Sequence, residues 1–290
     1  MVCKPKILYP ILMVKTIVGL LAIIVFMGCR PEERGHRDHP VVADSILDKA
    51  DVLLKSEQVS HSLVYLDSAY SLFPHPGPED IWKKYNFKAN YYLFYDINLE
   101  IATRYVDSMF AVLKGKADLY KESYATSIFL SGDVLMAQNR YNEAFGRYYE
   151  GRQFTLKNLD SCKFSQFTYN LGLVRFRQGQ YAKAIPYLKQ ALNETGRCKE
   201  GFYYRIFTPQ AIINTTALCY ERAGIADIAV YYYRYGLALL DERAPAFPKK
   251  KQFIAAAKGV IYGNLGGVYS KLNQSQHAEK YLKESIRIKK

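Results

Sequence analysis

The chain has 290 residues, 49% of them hydrophobic and 23% charged, with 26 Tyr. That composition excludes a chain too polar to bury a core, and the length allows one or two ordinary domains. The formal charge is +13, and Lys4, Lys6 and Lys15 account for three of it, so the part after residue 28 carries 13 − 3 = +10 and favours acidic partners by long-range attraction.

Residues 1–29 differ from everything after them. Lys4, Lys6 and Lys15 precede the apolar run Thr16 to Met27, and Gly28-Cys29 follow. A basic head, a short apolar run and a small residue before a cut make a secretory signal. Phe26-Met27-Gly28 before Cys29 resembles a bacterial lipoprotein lipobox, and the resemblance implies a diacylglyceryl group on the Cys29 thiol, with Cys29 as the mature N-terminus. Met13 is a second candidate start. The competing reading is an uncleaved transmembrane anchor over residues 7–27, because about 20 apolar residues span a bilayer. Either way the chain is expected to be membrane-tethered, as a periplasmic or cell-surface lipoprotein or an anchored protein, and nucleic acid is not an expected partner.

Residues 30–43, RPEERGHRDHPVVA, are charged, hold two prolines and read as a flexible tether. His36, Asp38 and His39 lack the rigid spacing and further ligands that a metal site needs, so none is expected.

Residues 44–290 show helical spacing throughout and no strand-like alternation. The first copy of a recurring pattern uses Ala50, Leu53, Ser62, Leu66, Ala69 and Pro74. The second uses Leu93, Ala102 and Val106. Gly132, Leu135, Ala144, Tyr148 and Gly151 make a third. Leu171, Gly172, Ala184, Leu188 and Ala191 make the fourth. Ala217, Tyr220, Ala229, Tyr233 and Gly236 follow, and then Leu265, Gly266, Tyr269, Ala278, Leu282 and Ser285. A small residue falls where two antiparallel helices must approach to about 8–10 Å. In the second helix that residue is Ser62, Ala102, Ala144, Ala184, Ala229 or Ala278, at intervals of 40, 42, 40, 45 and 49. Turns are expected near Glu57–Ser60, Asp96–Leu99, Asn139–Tyr141, Gly179–Tyr181, Gly224–Ala226 and Asn273–Gln276. The pattern resembles the tetratricopeptide repeat, a helix–turn–helix unit of about 34 residues. The resemblance implies an all-α, right-handed α-solenoid of about six TPR-like hairpins, whose core grows as a line.

The helix ends have sequence signals. Phe73 to Pro78 is a hard stop, and Pro78 with Glu79 and Asp80 suits a helix start. Asp160 and Thr208-Pro209 read as the same device. Ala244 to Lys251, APAFPKKK, is a candidate hinge before the last repeat.

No catalytic, cofactor-binding or metal-binding residues are expected. The five His do not pair with a Ser or Cys in a nucleophile motif, and no Gly-rich phosphate loop follows a strand. Cys162, Cys198 and Cys219 are odd in number with no close pair, and read as small buried hydrophobes.

The passages KKYNFKANYYLFYDINLEIATRYVDSM, GDVLMAQNRYNEAFGRYYEGRQF and LCYERAGIADIAVYYY resemble the N-terminal sensor region of bacterial TPR-containing membrane histidine kinases. The phospho-acceptor box and ATP-binding motifs of such kinases are not in the sequence, so only a sensing or interaction role is implied. The expected function is a non-enzymatic, membrane-tethered scaffold for a protein or peptide partner, acidic by charge complementarity. Ligand sensing in two-component signal transduction is the alternative. Tyr281 and Ile288 on the last helix are expected to stay uncovered, as a docking or self-association face of the C-terminal repeat.

Overall fold

The computed structural model describes residues 7–8, 23–24, 38–56, 59–159, 162–198 and 201–289. Cys29, most of the leader and tether, and Asp160 lie outside the described residues. Ile7–Leu8 (β1) and Ile23–Ile24 (β2) pair antiparallel, and the other regular elements described are helical.

The chain forms two compact units, Met1–Arg147 and Tyr148–Lys290. The first holds α1 (Pro40–Lys55), α2 (Val59–Ser71), α3 (Pro78–Phe94), α4 (Leu99–Val112) and α5 (Lys121–Ala137); α6 (Tyr141–Asn158) crosses the division. Its helices pair as α1 with α2 and α3 with α4, while α1, α3 and α5 adjoin in turn. Its core is a succession of clusters. Leu47, Ala50, Leu66 and Phe87 make one, and Trp82, Val106, Met109 and Leu130 make the next.

Helix α1 starts at Pro40, inside the stretch expected as tether. Pro40 suits the first turn because its missing N–H has no intrahelical partner there. The residues before it are held by α3: His39 N donates to Asp80 Oδ2 at 2.9 Å, and Glu79 N donates to Asp38 Oδ1 at 3.2 Å. Asp80 Oδ2 also accepts from Gly77 N at 2.9 Å, which closes the start of α3.

The second unit holds α7 (Phe164–Arg177), α8 (Tyr181–Thr195), α9 (Thr208–Arg222), α10 (Ala226–Arg243), α11 (Lys251–Lys271) and α12 (Ser275–Lys289). They pair as α7 with α8, α9 with α10 and α11 with α12, and each hairpin packs on the next. Gly172 is where α7 meets α8: a Cβ built there would lie 2.9 Å from Leu188. Gly266 plays the same part against Leu282, at 2.6 Å. The fold is thus an all-α series of TPR-like hairpins.

The hairpin turns are built alike. Asn139, Gly179, Gly224 and Asn273 all have positive φ, from 58° to 78°. Each lies five residues before the small residue of its second helix, Ala144, Ala184, Ala229 or Ala278. The next residue, Arg140, Gln180, Ile225 or Gln274, donates its N–H to the carbonyl five positions back at 2.9 Å. That is the Schellman closure of a helix C-terminus, which favours Gly or Asn at the left-handed position. Ile97 takes this place in the α3–α4 turn, with φ 55°.

One expected helix start is met, and three other expectations are corrected. Helix α9 begins at Thr208-Pro209, as expected, and a π-helical turn, Tyr203–Phe207, runs straight into it. Pro209 cannot bond the Arg205 carbonyl four residues back, and Arg243 Nη1 of α10 takes that oxygen at 2.7 Å. The stretch Ala244 to Lys251 is no free hinge: it folds as two 3-10 turns, and Phe247 packs edge-on against Phe202 at 5.4 Å. Cys162 and Cys198 form a disulfide with Cα atoms 5.6 Å apart, and Cys219 is the one buried free thiol among the described residues. Tyr281 is covered by Tyr269 at 5.5 Å and Tyr262 at 6.0 Å, and Ile288 lies over Gly259; Leu282 and Ile286 are the large apolar residues of α12 left exposed, at 41% and 57%.

Candidate interaction face

The signature residues picked from sequence sit between helices. Ala144, Tyr148, Ala184, Ala217, Ala229 and Leu265 have no exposed surface. Leu171, Tyr269 and Ala278 are nearly as deep, and Gly132, Gly172 and Gly266 are buried. Tyr220 is half-buried and stacks on Tyr232. These side chains build the hairpins and present little to a ligand.

A different set lines the row of first helices in the second unit. Helix α9 adjoins α7 on one side and α11 on the other. Tyr169, Leu173 and Arg177 follow at four-residue spacing on α7, and Asn214, Leu218 and Arg222 do so on α9. Asn264, Gly267 and Lys271 are spaced three and four on α11. Such spacings put each trio on one helix face. All are half-buried except Arg222 and Lys271, which are exposed.

Side-chain bonds tie these helices across the row. Asn264 Nδ2 donates to Asn214 Oδ1 at 3.0 Å. Thr215 gives its hydroxyl hydrogen to the Ala211 carbonyl at 2.8 Å, so the Tyr169 hydroxyl, 3.2 Å away, is the donor to Thr215. Burial pushes the Tyr169 phenol up, which keeps it a donor at neutral pH. Glu221 accepts from Tyr233 Oη at 2.8 Å and from Lys271 Nζ at 2.6 Å, and so joins α9 to both α10 and α11. The Tyr233 phenol is held well above its ordinary range, first by burial and then by the Glu221 charge.

Arg177, Arg222 and Lys271 each fall five residues after the small residue of a first helix, Gly172, Ala217 or Gly266. Each is in the last turn of its helix, where a cation complements the macrodipole. Together they place three cations at one repeat position, against the single carboxylate of Glu221. Sequence reasoning found the small residues and stopped there; counting five positions onward would have exposed the row. Among the described residues no group of three or more His, Cys, Asp or Glu could hold a metal ion, and no helix is long and apolar enough to cross a membrane.

The family model described as tetratricopeptide repeat matches residues 166–195 and 260–290. The chain is 29% identical over 133 residues to the photosystem I assembly protein Ycf3 of Sorghum bicolor, which is 41% of this chain and 70% of that protein. It spans about two thirds of the length of the curated relatives it matches. Among solved structures it is similar to a Rap protein complexed with Competence and Sporulation Factor, with TM-score 0.61, 15% identity and coverage of 87% of this chain and 66% of that one. It is also similar to the Rap conjugation gene regulator of plasmid pLS20 in complex with the Phr* peptide, with TM-score 0.56, 14% identity and coverage of 86% and 74%.

Proposed function

We propose that the protein is a non-enzymatic interaction scaffold whose α7, α9 and α11 hold an extended, acidic segment of a protein or peptide partner. The observation that carries this is the row of Arg177, Arg222 and Lys271 beside the half-buried Asn214 and Asn264. Amides at the edge of a groove can pair with a peptide backbone, while the cations select acidic side chains. The Rap regulator of pLS20, which holds a peptide on the same fold, supports the reading. Capture from membrane extracts should yield a partner with the wild-type chain and lose it with Arg177→Glu/Arg222→Glu. Bound partner should also fall away as salt is raised, because the exposed charges are screened. Capture by the charge-reversed variant equal to wild type would sink the proposal.

The scaffold is tethered at Cys29 in this reading, by a lipid added after export. The Cys162–Cys198 disulfide supports an oxidising compartment, where such bonds persist. Labelling with a fatty-acid analogue should mark the wild type and spare Cys29→Ala; equal labelling of both would refute the anchor. In the signalling form of the proposal, the same face senses its ligand and passes the state to a histidine-kinase partner, which should then co-purify with the wild-type chain.

A further inference from the structure

The second unit contains a cavity of 460 Å³ that no part of the interaction face uses. It lies where the C-terminal end of α10, the two 3-10 turns, the N-terminal half of α11 and the last turns of α12 come together. The face and the cavity lie on different sides of α11. Asn264 looks to α9, and Ala255, a cavity residue, is nine positions earlier, or about two and a half turns.

Much of the lining is apolar: Ile254, Ala255 and Tyr262 from α11, Ile288 from α12, and Pro245 and Pro248 from the turns. The two prolines stiffen the side formed by the connection, and Phe247 between them is anchored on Phe202. One side of the cavity is therefore formed by backbone of restricted φ. Lys251, Lys258 and Arg287 also line it, against one acid, Asp241. Asp241 is already paired with Lys258, and Arg287 with Glu284 outside the lining. Lys251 pairs with no acid among the described residues, so the lining has an uncompensated positive charge.

A volume of this order suits a small ligand or the last residues of a chain, and is too narrow for a helix with its side chains. Apolar walls with a cationic lining fit a ligand that has an apolar body and a single anionic head. We infer that this cavity takes an amphipathic carboxylate, with the body against Ile254 and Tyr262 and the carboxylate at Lys251 and Arg287. Two sources share that chemistry: the free C-terminus of an apolar peptide, and a short fatty acid. This site stands apart from the proposed interaction face, and loss of one leaves the other intact.

The full chain titrated by calorimetry with octanoate, octanamide, acetyl-Leu-Leu and acetyl-Leu-Leu-amide tests it. One acid should bind, and its amide should bind roughly tenfold more weakly or worse, because the charge-assisted bonds are lost. The acid that saturates names the source. Lys251→Glu should weaken binding without changing the melting temperature, since Lys251 is exposed and unpaired. Ala255→Trp should fill the cavity and abolish binding, while capture of a partner by the wild-type interaction face persists. Equal binding of acid and amide, no binding of either acid, or undiminished binding by both variants would overturn the inference.

Discussion

At the scale of single residues, two positions carry a cost that the fold has to offset. Ile97 holds a left-handed backbone in the α3–α4 turn, where the equivalent turns have Asn or Gly. A β-branched side chain there costs about 1–2 kcal/mol, and Ile97 is 70% exposed, so its burial returns little. Ile97→Asn is expected to stabilise the protein by about 0.5–1 kcal/mol, read as a higher melting temperature; a lower one would mean the isoleucine makes a contact that matters. The second position is Arg152 of α6. Its guanidinium reaches Glu194 of α8 and Thr168 of α7, both at 2.8 Å, with side chains only 18% and 6% exposed for Arg152 and Glu194. Removing one partner strands a buried charge and should cost about 3–5 kcal/mol in Arg152→Met. The double variant Arg152→Met/Glu194→Leu should recover most of that loss. Additive losses in the double variant would show that the pair contributes through packing alone.

At the scale of elements, the hairpins were legible and their joints only in part. The small residues recur because two helices cannot approach around a large one, and that requirement is written in the sequence at fixed places. Gly172 shows its force: the position its Cβ would occupy is 2.9 Å from Leu188, which is itself fully buried. Gly172→Leu should therefore cost about 1–3 kcal/mol by overpacking. Gly146 of α6 has nothing within 4 Å of the same point, so Gly146→Ala should instead raise stability by up to about 1 kcal/mol. Opposite signs in thermal melts would match this assignment, and a shared sign would contradict it. The beginning of α9 was legible only in part. Pro209 reads as a start signal, and only the structure reveals that a π turn and the Arg243 guanidinium let the helix run through it.

At the scale of the whole molecule, no single core has to form at once, because each unit is a succession of small ones. Local breakage then stays local unless something ties distant residues together. The Cys162–Cys198 bond does so across 36 positions of the second unit. The sequence hid it because the two cysteines are about one hairpin apart, far in number and adjacent once the α7–α8 hairpin closes. Counting only close spacings misses any pair that a helix–turn–helix brings together. Reduction should destabilise the protein by about 2–4 kcal/mol, seen as a lower denaturant midpoint, with the loss absent in Cys162→Ser/Cys198→Ser. An unchanged midpoint would show that the hairpin holds itself. Cys219 is a poor candidate to exchange with this bond, since burial pushes its thiol up to about 12 and leaves almost no thiolate at neutral pH.

That bond also decides what a protease can do. A cut at the exposed Gly179, the tip of the α7–α8 turn, would break the peptide chain between the two cysteines and yet release nothing. The clipped protein would run as one intact band on a non-reducing gel and as two fragments once reduced. A hairpin stapled in this way can carry a severed backbone and still keep its two halves together.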